Sequence, residues 1–334
     1  MFAREKRAFT VVELLVVIAI IGLLVGMLMP AVQRARDAAR RTTCINNQRQ
    51  LGLAIIQYDT ARQHLPPARS LDLDGDGNSR TLANDDPVIL NWVFSILPAL
   101  EEDGLYKEIL TGGFPNDATP TGLEEIFIEA LVCPSRVRFE WERPDGLAGP
   151  VSLSYAVNGG RENFSGSAPE GERVNFDWIE NGVFIDQAPP PQGPGRFRHT
   201  LSTVARHDGQ STTIMLTENC NVQDWRIAPS QQHSQVLWFP EPVLRPNEPL
   251  QNLQDREGMF DSEEAGINWA RPASFHSGGY VATFCDGSVR FLSEDLDYRT
   301  YAQLMTSRGA RARDPALNDY PDPPWQADRI SEEL

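Results

Sequence analysis

The sequence predicts an α+β fold in which a long, kinked N-terminal helix packs on a mainly antiparallel β-sheet body with loop insertions. Three observations lead to this prediction. An apolar run covers Leu14 to Val32, and a helical pattern continues beyond it to residue 64. Proline and glycine, at 25 residues each, favour loops that join short strands over a helical bundle. Near the C-terminus, two apolar segments flank Asp286-Gly287, a dipeptide typical of β-hairpin turns.

The apolar run has the length of a membrane helix. Its 19 residues carry no charge, and as a helix they span about 28 Å. Pro30 lacks a backbone N–H, so we expect it to kink the helix near its outer end. Gly22 and Gly26 have the G-x-x-x-G spacing that lets helices approach closely, but small residues are common in membrane helices.

Glu13 places one carboxylate at the start of this apolar helix. A charge in the membrane is costly, so it usually has a partner and a function. A cleaved secretory signal is disfavoured because no small-x-small site precedes the end of the run. A plain anchor does not explain Glu13, and the length argues against a buried core helix. The positive-inside rule alone would leave the body cytoplasmic or its side undecided, because four arginines follow the run and outnumber the basic residues before it: Arg34, Arg36, Arg40 and Arg41.

The helical pattern beyond Pro30 is amphipathic. Polar residues Asn46, Gln50 and Gln57 fall on one face, and we expect the helix to end near His64, ahead of Pro66-Pro67. As one helix, this segment and the apolar run extend about 80 Å. The second half would serve as a spine for the sheet, with a broad face formed by Cys44, Ile45, Leu51, Gly52, Ile55, Ile56 and Tyr58.

The basic leader, Ala8-Phe9 and Glu13 together resemble the N-terminal signal of type IV prepilins and type II secretion pseudopilins. The resemblance implies cleavage by prepilin peptidase between Ala8 and Phe9, N-methylation of Phe9, and pairing of Glu13 with the new amino terminus of a neighbouring subunit. A carboxylate–ammonium pair is favoured over either ion alone at low dielectric. Ala8 departs from the glycine usual at this position, but both residues are small.

This resemblance also implies partners and a location. The partners are prepilin peptidase, other pilin-like subunits, the pilus or secretion assembly machinery, and the membrane through the N-terminal helix. The implied location is the inner membrane, crossed once, with the body in the periplasm or at the cell surface, or in an extracellular filament.

The body resembles a large bacterial family of prepilin-like proteins whose C-terminal domain has no established function. The resemblance covers roughly residues 8–297 and depends on the order of its motifs, since each is weak alone. Cys285 stands where the family commonly has alanine. The motifs are Cys44–Asn47, Gln50–Ala54, Trp92, Leu97–Glu101, Leu105-Tyr106, Cys133–Ser135, Ser154–Gly159, Asp208–Ile214 with Glu218, His276–Gly279, and Phe284–Phe291 with Asp286 and Gly287 at its turn.

The hairpin around Asp286-Gly287 is the strongest local prediction in the body. A two-residue turn would place Phe284 opposite Val289 and Ala282 opposite Phe291. Further strands are expected at residues 151–157, 212–217 and 236–239, two short helices or a helix and a turn at 90–97 and 101–110, and a loop at 187–195.

Length, composition and charge limit the organisation and the function. With 334 residues, 41% of them apolar, the chain can bury a core, and we expect one elaborate domain behind the anchor, or two at most. The net charge of −16 disfavours nucleic acid as a partner, and loss of residues 1–8 would make it about −18. We expect a leader at 1–8, a membrane or filament-core helix at 9–32, its amphipathic continuation at 33–64, an α+β body at 65–306 and an irregular tail at 307–334.

Four cysteines stand far apart in the sequence: Cys44, Cys133, Cys220 and Cys285. None forms a C-x-x-C pair, so their spacing gives no support to a structural zinc site. In an exported body they predict one or two disulfides of undetermined connectivity, and four buried thiols are the alternative.

Asp72, Asp74, Asp76 and Asn78 resemble the first half of a calcium loop, because short oxygen ligands alternate before a glycine. The usual twelfth-position glutamate is replaced by Ala83. Bound Ca²⁺ would stiffen this loop, and a solvated acidic turn is the alternative. Calcium is the one cofactor that the sequence suggests.

Histidines and tryptophans raise two further possibilities. His276, before Gly278 and Gly279, is compatible with an active site, but no Ser/His/Asp set can be assembled by spacing. We therefore expect no enzyme, and a histidine that satisfies backbone groups where the chain enters the hairpin. His199 and His207 could bind a metal with Asp208, although scattered surface histidines are expected instead. The seven tryptophans could include a sugar-stacking platform but are better explained as core or loop residues.

The sequence therefore predicts a pilin-like structural subunit, tethered to the membrane and assembled into or attached to a type IV pilus or type II secretion pseudopilus. The alternative is a membrane-anchored extracytoplasmic module that binds a solute or carbohydrate. An exported enzyme is the third hypothesis.

Overall fold

The structure of the chain is a computed structural model. It describes residues 11–71, 88–112, 126–135, 140–142, 148–150, 153–161, 181–187, 199–220, 222, 224–226, 228, 234–238 and 270–309. Ala8, Phe9 and the proposed calcium ligands Asp72, Asp74, Asp76 and Asn78 lie outside these residues. The chain divides into two compact units, Met1–Thr42 and Thr43–Leu334.

Helix α1 covers Val11–Arg62, which confirms the long N-terminal helix. It continues through Pro30, and the kink expected there stays a prediction. The helix ends at Arg62, two residues before the expected His64, and the next residue, Gln63, has a left-handed φ of 59°. The Gln63 N–H donates to the Asp59 carbonyl at 2.8 Å, which caps the last turn before the two prolines.

The second unit contains the rest of the regular structure. In chain order the elements are β1 (Arg69–Leu71), β2 (Ile89–Asn91), α2 (Trp92–Ile96), a 3₁₀ turn (Leu97–Leu100), α3 (Asp103–Gly112), a 3₁₀ turn (Glu129–Leu131), β3 (Glu140–Glu142), β4 (Ala148–Pro150), β5 (Tyr155–Arg161), β6 (Asp186–Gln187), α4 (Leu201–Arg206), β7 (Ile214–Glu218), β8 (Gln235–Trp238), β9 (Gly279–Phe284), β10 (Val289–Ser293) and α5 (Tyr298–Met305).

The strands that the structure describes form one main sheet and two small ones. The main sheet has the order β10-β9-β7-β5-β8, in which only the β5–β8 pair is parallel. A three-stranded sheet has the order β2-β1-β6, and β3 pairs with β4. The body is therefore α+β with mainly antiparallel pairing, as predicted.

The predicted register of the β9–β10 hairpin is wrong by one residue. Val289 lies opposite Thr283, and Phe291 lies opposite Val281. The loop has three residues because the Phe284 N–H donates to the Ser288 carbonyl at 2.8 Å. Gly287, with φ of 81°, supplies the left-handed residue that such a loop requires.

Both faces of β9 are buried, and α1 packs on one of them. Gly52 of α1 lies so close to β9 that a Cβ there would be 2.8 Å from the Thr283 methyl group. The face of α1 against the body differs from the predicted one, because it includes the polar residues Asn47 and Gln48. The buried residues of α1 are Cys44, Asn47, Gln48, Leu51, Gly52, Ala54 and Ile55.

Helix α5 was not predicted. Its N-cap Asp297 accepts hydrogen bonds from the backbone N–H groups of Arg299 and Thr300. Tyr301 of this helix donates a hydrogen bond to the Leu237 carbonyl at 2.9 Å, which attaches α5 to the main sheet. The chain just after α5 is also attached to the body, because the Asp208 carboxylate accepts a hydrogen bond from the Gly309 N–H at 2.7 Å.

Candidate functional site

The first half of α1 exposes an apolar surface. Every residue from Val11 to Val32 is solvent-exposed in the chain alone, and Glu13 lies in the first turn of the helix. By length and composition, this helix qualifies as a membrane span. Water is a poor solvent for such a surface, so a membrane or other subunits must cover it.

A disulfide links the second half of α1 to the loop after the Glu129–Leu131 turn. Cys44 and Cys133 are 89 residues apart in the sequence, and their Cα atoms are 5.4 Å apart. Both side chains are buried. Asn47, one turn further along α1, reinforces the link by donating to the Val132 carbonyl at 3.2 Å and the Glu129 carbonyl at 3.4 Å.

A buried histidine and glutamate lie beside this disulfide. His276 Nε2 is 3.2 Å from Glu218 Oε1 and 3.6 Å from Cys133 Sγ. Its other ring nitrogen, Nδ1, is 3.4 Å from Ser135 Oγ. The side chains of His276 and Glu218 are 3% and 1% exposed, respectively. This set of Cys44, Cys133, Glu218 and His276 is called the cysteine–histidine cluster below.

The carboxylate of the glutamate in the cluster accepts a hydrogen bond from a backbone N–H of β9. Glu218 is the last residue of β7, and its Oε2 accepts the Val281 N–H at 2.9 Å. Burial, together with the nearby Glu218 charge, raises the pKa of Tyr155. The phenol of Tyr155 therefore stays neutral beside the cluster.

Local structure explains how the histidine reaches the cluster. The chain before β9 runs beside the end of β7, where the Ala273 N–H donates to the Glu218 carbonyl at 3.1 Å. Gly278 then turns with a left-handed φ of 86°. Gly279 lies against β10, since a Cβ there would be 2.0 Å from the Leu292 carbonyl oxygen. The paired glycines thus turn the chain from His276 into the hairpin.

Two family models match the chain. The model described as Protein of unknown function (DUF1559) matches residues 33–299, which is most of the chain. The chain belongs to the DUF1559 family. A Prokaryotic N-terminal methylation motif matches residues 3–29 of the same DUF1559 chain. No curated protein and no solved structure matched it at a significant level.

Together, the matches confirm a prepilin-type protein with a large C-terminal domain of the DUF1559 family. The methylation motif supports processing by prepilin peptidase, and with the apolar helix it supports a membrane anchor and an extracytoplasmic body. Glu13 lies within the matched motif, as do Ala8 and Phe9.

The remaining cysteines of this DUF1559 protein do not form a second disulfide. Cys220 and Cys285 are buried and are not disulfide-bonded. Burial raises the pKa of the Cys285 thiol, so it stays protonated. Cys285 is thus a small core residue beside Asp286 and Gly287 at the hairpin turn.

The described contacts of the His276 ring differ from the expected ones. The structure gives its ring contacts with side chains, whereas the sequence predicted contacts with backbone groups. His199 is also not a surface residue: it is buried, and its Nδ1 lies 2.9 Å from the Val183 carbonyl oxygen. Burial lowers the pKa of His199, which favours the neutral ring.

Three of the seven tryptophans have described side chains in the core. Trp92, Trp225 and Trp238 are at most 1% exposed, so none of these three can form a sugar-stacking surface. The other four lie outside the residues whose side chains the structure describes.

Sequence reasoning missed the chemical partners of His276. Glu218 was noted only as a family landmark, and Ser135 only as part of Cys133-Pro134-Ser135. The sequence signal that could have identified Glu218 is a carboxylate at the end of an apolar strand, because a buried carboxylate needs a partner. In the structure, all five residues of β7 are buried.

Proposed function

We propose that the protein is a pilin-like subunit that assembles through the first half of α1 into a type IV pilus or type II secretion pseudopilus, or attaches to one. Prepilin peptidase cuts between Ala8 and Phe9 at the inner membrane, which the chain crosses once. The body is then held in the periplasm or displayed at the cell surface.

One observation carries the proposal: the first half of α1 is apolar and solvent-exposed, has a single carboxylate in its first turn, and lies largely within a methylation motif. Cleavage would create a cationic amine on Phe9, near neutral pH, four residues before Glu13. In a low-dielectric filament core or bilayer, Glu13 of one subunit would be stabilised by the amine of the next. This pair would set the register between subunits.

Assembly can be tested separately from cleavage. We would express the chain with its own peptidase and assembly machinery and compare the wild type with Glu13→Gln. Formaldehyde cross-linking in intact cells should give a ladder of multimers for the wild type. Glu13→Gln should be cleaved but remain largely monomeric in the membrane.

Asp37→Asn is the matched control for charge. Asp37 is another exposed carboxylate on α1, and its only described ion-pair contact is with Arg40 at 3.9 Å. The Asp37 variant should assemble like the wild type. Multimers of Glu13→Gln at the wild-type level, or a wild type that is only monomeric, would contradict the proposal.

The alternative function, an anchored module for a solute or carbohydrate, stays a prediction. The tryptophans whose side chains the structure describes do not favour it, because they are buried.

A further inference from the structure

The cysteine–histidine cluster has the composition of a zinc site. One ligand atom from each of Cys44, Cys133, Glu218 and His276 lies within 4.8 Å of all the others. Two thiolates, an imidazole and a carboxylate are ligands that Zn²⁺ takes in four-coordinate sites. Thiolates also argue against Ca²⁺ at this position, because calcium prefers oxygen ligands.

We propose that, when the Cys44–Cys133 bond is absent, the cluster binds one Zn²⁺ through both cysteine sulfurs, His276 Nε2 and Glu218 Oε1. The disulfide and the metal would then be two alternative links between α1 and the body. The thiols exist in the newly made chain before oxidation, so the zinc form needs no reductant at that stage.

The distances within the cluster support this assignment. With usual zinc bond lengths and tetrahedral angles, a nitrogen and a sulfur ligand are about 3.6 Å apart, and a nitrogen and an oxygen ligand about 3.3 Å. The corresponding distances from His276 Nε2 are 3.6 Å to Cys133 Sγ and 3.2 Å to Glu218 Oε1. The two distances from the histidine nitrogen therefore match those of a tetrahedral site.

The sulfur pair is the one part that must change. Two thiolates on zinc are about 3.8 Å apart, whereas bonded sulfurs are about 2.05 Å apart. Rotation of the two cysteine side chains can provide this separation. The surrounding backbone has supports other than the disulfide, since Asn47 holds the Glu129 and Val132 carbonyls and Val281 holds Glu218.

A second observation concerns the carboxylate. Within the part of the chain that the structure describes, Glu218 Oε1 is buried and has no hydrogen bond of good geometry, although His276 Nε2 lies nearby. A buried acceptor in this state is costly. A cation between Glu218 and His276 would satisfy it, and Ser135 next to Nδ1 would orient the ring as outer-shell partners of zinc ligands do.

The proton balance follows from these ligands. Each cysteine thiol loses one proton on binding, so one Zn²⁺ displaces two protons from Cys44 and Cys133. His276 binds as the neutral ring, and Glu218 as the carboxylate. Because all four residues are buried, the site would be closed and structural, without an open position for catalysis.

The test uses the full mature chain in detergent. A phosphine reductant and water convert the disulfide to two thiols and phosphine oxide, after which Zn²⁺ alone is titrated against a chromophoric chelator without oxygen. We expect one tight equivalent per reduced chain and none per oxidised chain. Co²⁺ in place of Zn²⁺ should give thiolate charge-transfer bands and intense tetrahedral d–d bands.

Variants identify the ligands. His276→Asn and Glu218→Gln should each weaken zinc binding, and Cys44→Ser should weaken it by roughly 100-fold or more, taking the loss from outer-shell changes as a lower bound. The matched control is the double variant Cys220→Ser/Cys285→Ser, which removes the two cysteines outside the disulfide and should keep full binding.

The Co²⁺ spectrum of the wild type keeps the test decisive if a ligand variant fails to fold. The proposal is overturned if the reduced wild type binds no stoichiometric metal, if the oxidised chain binds equally well, or if the Cys220/Cys285 variant loses the site. A six-coordinate Co²⁺ spectrum without thiolate bands would also overturn it.

Discussion

Gln48 of α1 donates a hydrogen bond of 2.8 Å from Nε2 to the carbonyl oxygen of Val281 in β9. Its Oε1 accepts a second bond, of 2.9 Å, from Thr283 Oγ1 on the same strand. Gln48 is fully buried. An amide that satisfies both its donor and its acceptor at this depth specifies how α1 lies on the main sheet.

Replacing Gln48 with alanine should destabilise the body. The variant leaves the Val281 carbonyl and the Thr283 hydroxyl without this partner in the core, so we expect a loss of about 1–3 kcal/mol in the free energy of unfolding. Urea unfolding of the mature chain in detergent, followed by circular dichroism, measures it. Gln50→Ala, on the exposed face of the same helix, should change stability by less than about 0.5 kcal/mol. Equal effects of the two substitutions would refute the role of Gln48.

Two glycine-to-alanine substitutions in helices should have opposite effects on the stability of the protein. At Gly52, the new methyl group would meet the Thr283 methyl at 2.8 Å and Met215 Cε at 3.3 Å. Overpacking of about 1–3 kcal/mol should exceed the helix-propensity gain of about 1 kcal/mol. A methyl group added at Gly104 in α3 would have no neighbouring atom within 4 Å, so only the gain in helix propensity remains. Thermal unfolding should show a lower midpoint for Gly52→Ala and a higher midpoint for Gly104→Ala. A Gly52→Ala variant that is more stable than the wild type would show that α1 and β9 are not in close contact.

The disulfide predicts a defined pattern of alkylation. After denaturation without reductant, only Cys220 and Cys285 should react with iodoacetamide, and peptide mass spectrometry should find Cys44 and Cys133 still joined. Removing the bond by the double substitution Cys44→Ser/Cys133→Ser should cost about 2–5 kcal/mol, because the bond closes a long loop in the unfolded chain. Alkylated Cys44 or Cys133 in the unreduced chain would contradict the pairing.

Asp208 should make stability depend on pH. Burial raises the pKa of its carboxyl group above its ordinary value, despite hydrogen bonds from Gly309 and Thr306. A raised pKa means that the folded state binds a proton more tightly than the unfolded state. The resulting stabilisation is complete below the unfolded-state pKa of about 3.9 and is lost as pH rises through the folded-state pKa.

The Asp208→Asn variant should therefore remove this part of the pH dependence, because the amide oxygen can accept the same bonds and does not titrate. Denaturant midpoints measured from acidic to neutral pH should fall more steeply for the wild type than for the variant. Asp295→Asn, at an exposed carboxylate, is the matched control. Parallel profiles for the wild type and Asp208→Asn would refute this role for Asp208.

Local patterns predicted the elements whose residues are close in the sequence. The apolar run, the amphipathic continuation and Pro66-Pro67 predicted α1 to within two residues at its C-terminal end. The Asp286-Gly287 turn predicted the β9–β10 hairpin. Its register was missed because Cys285 joins the loop, and Gly287 adopts the left-handed conformation of a three-residue turn.

Features that depend on distant segments could not be predicted in the same way. Nothing local pairs Cys44 with Cys133 over 89 residues, or brings Glu218 of β7 to His276. The spacing of the cysteines gave no support to a zinc site, because the four residues of the cluster come from four separate segments of the chain. The burial of Gln48 also depends on β9, since an isolated helix would place this polar residue in solvent.

The most direct test of the central claim is the mature N-terminus of the chain. The full sequence would be expressed with its own prepilin peptidase, and the product analysed by intact mass and N-terminal peptide sequencing. The account predicts a chain that begins at Phe9, with an N-methyl group where the methylating activity is present. A chain that retains Met1, or one cut after the apolar run at Val32, would contradict it.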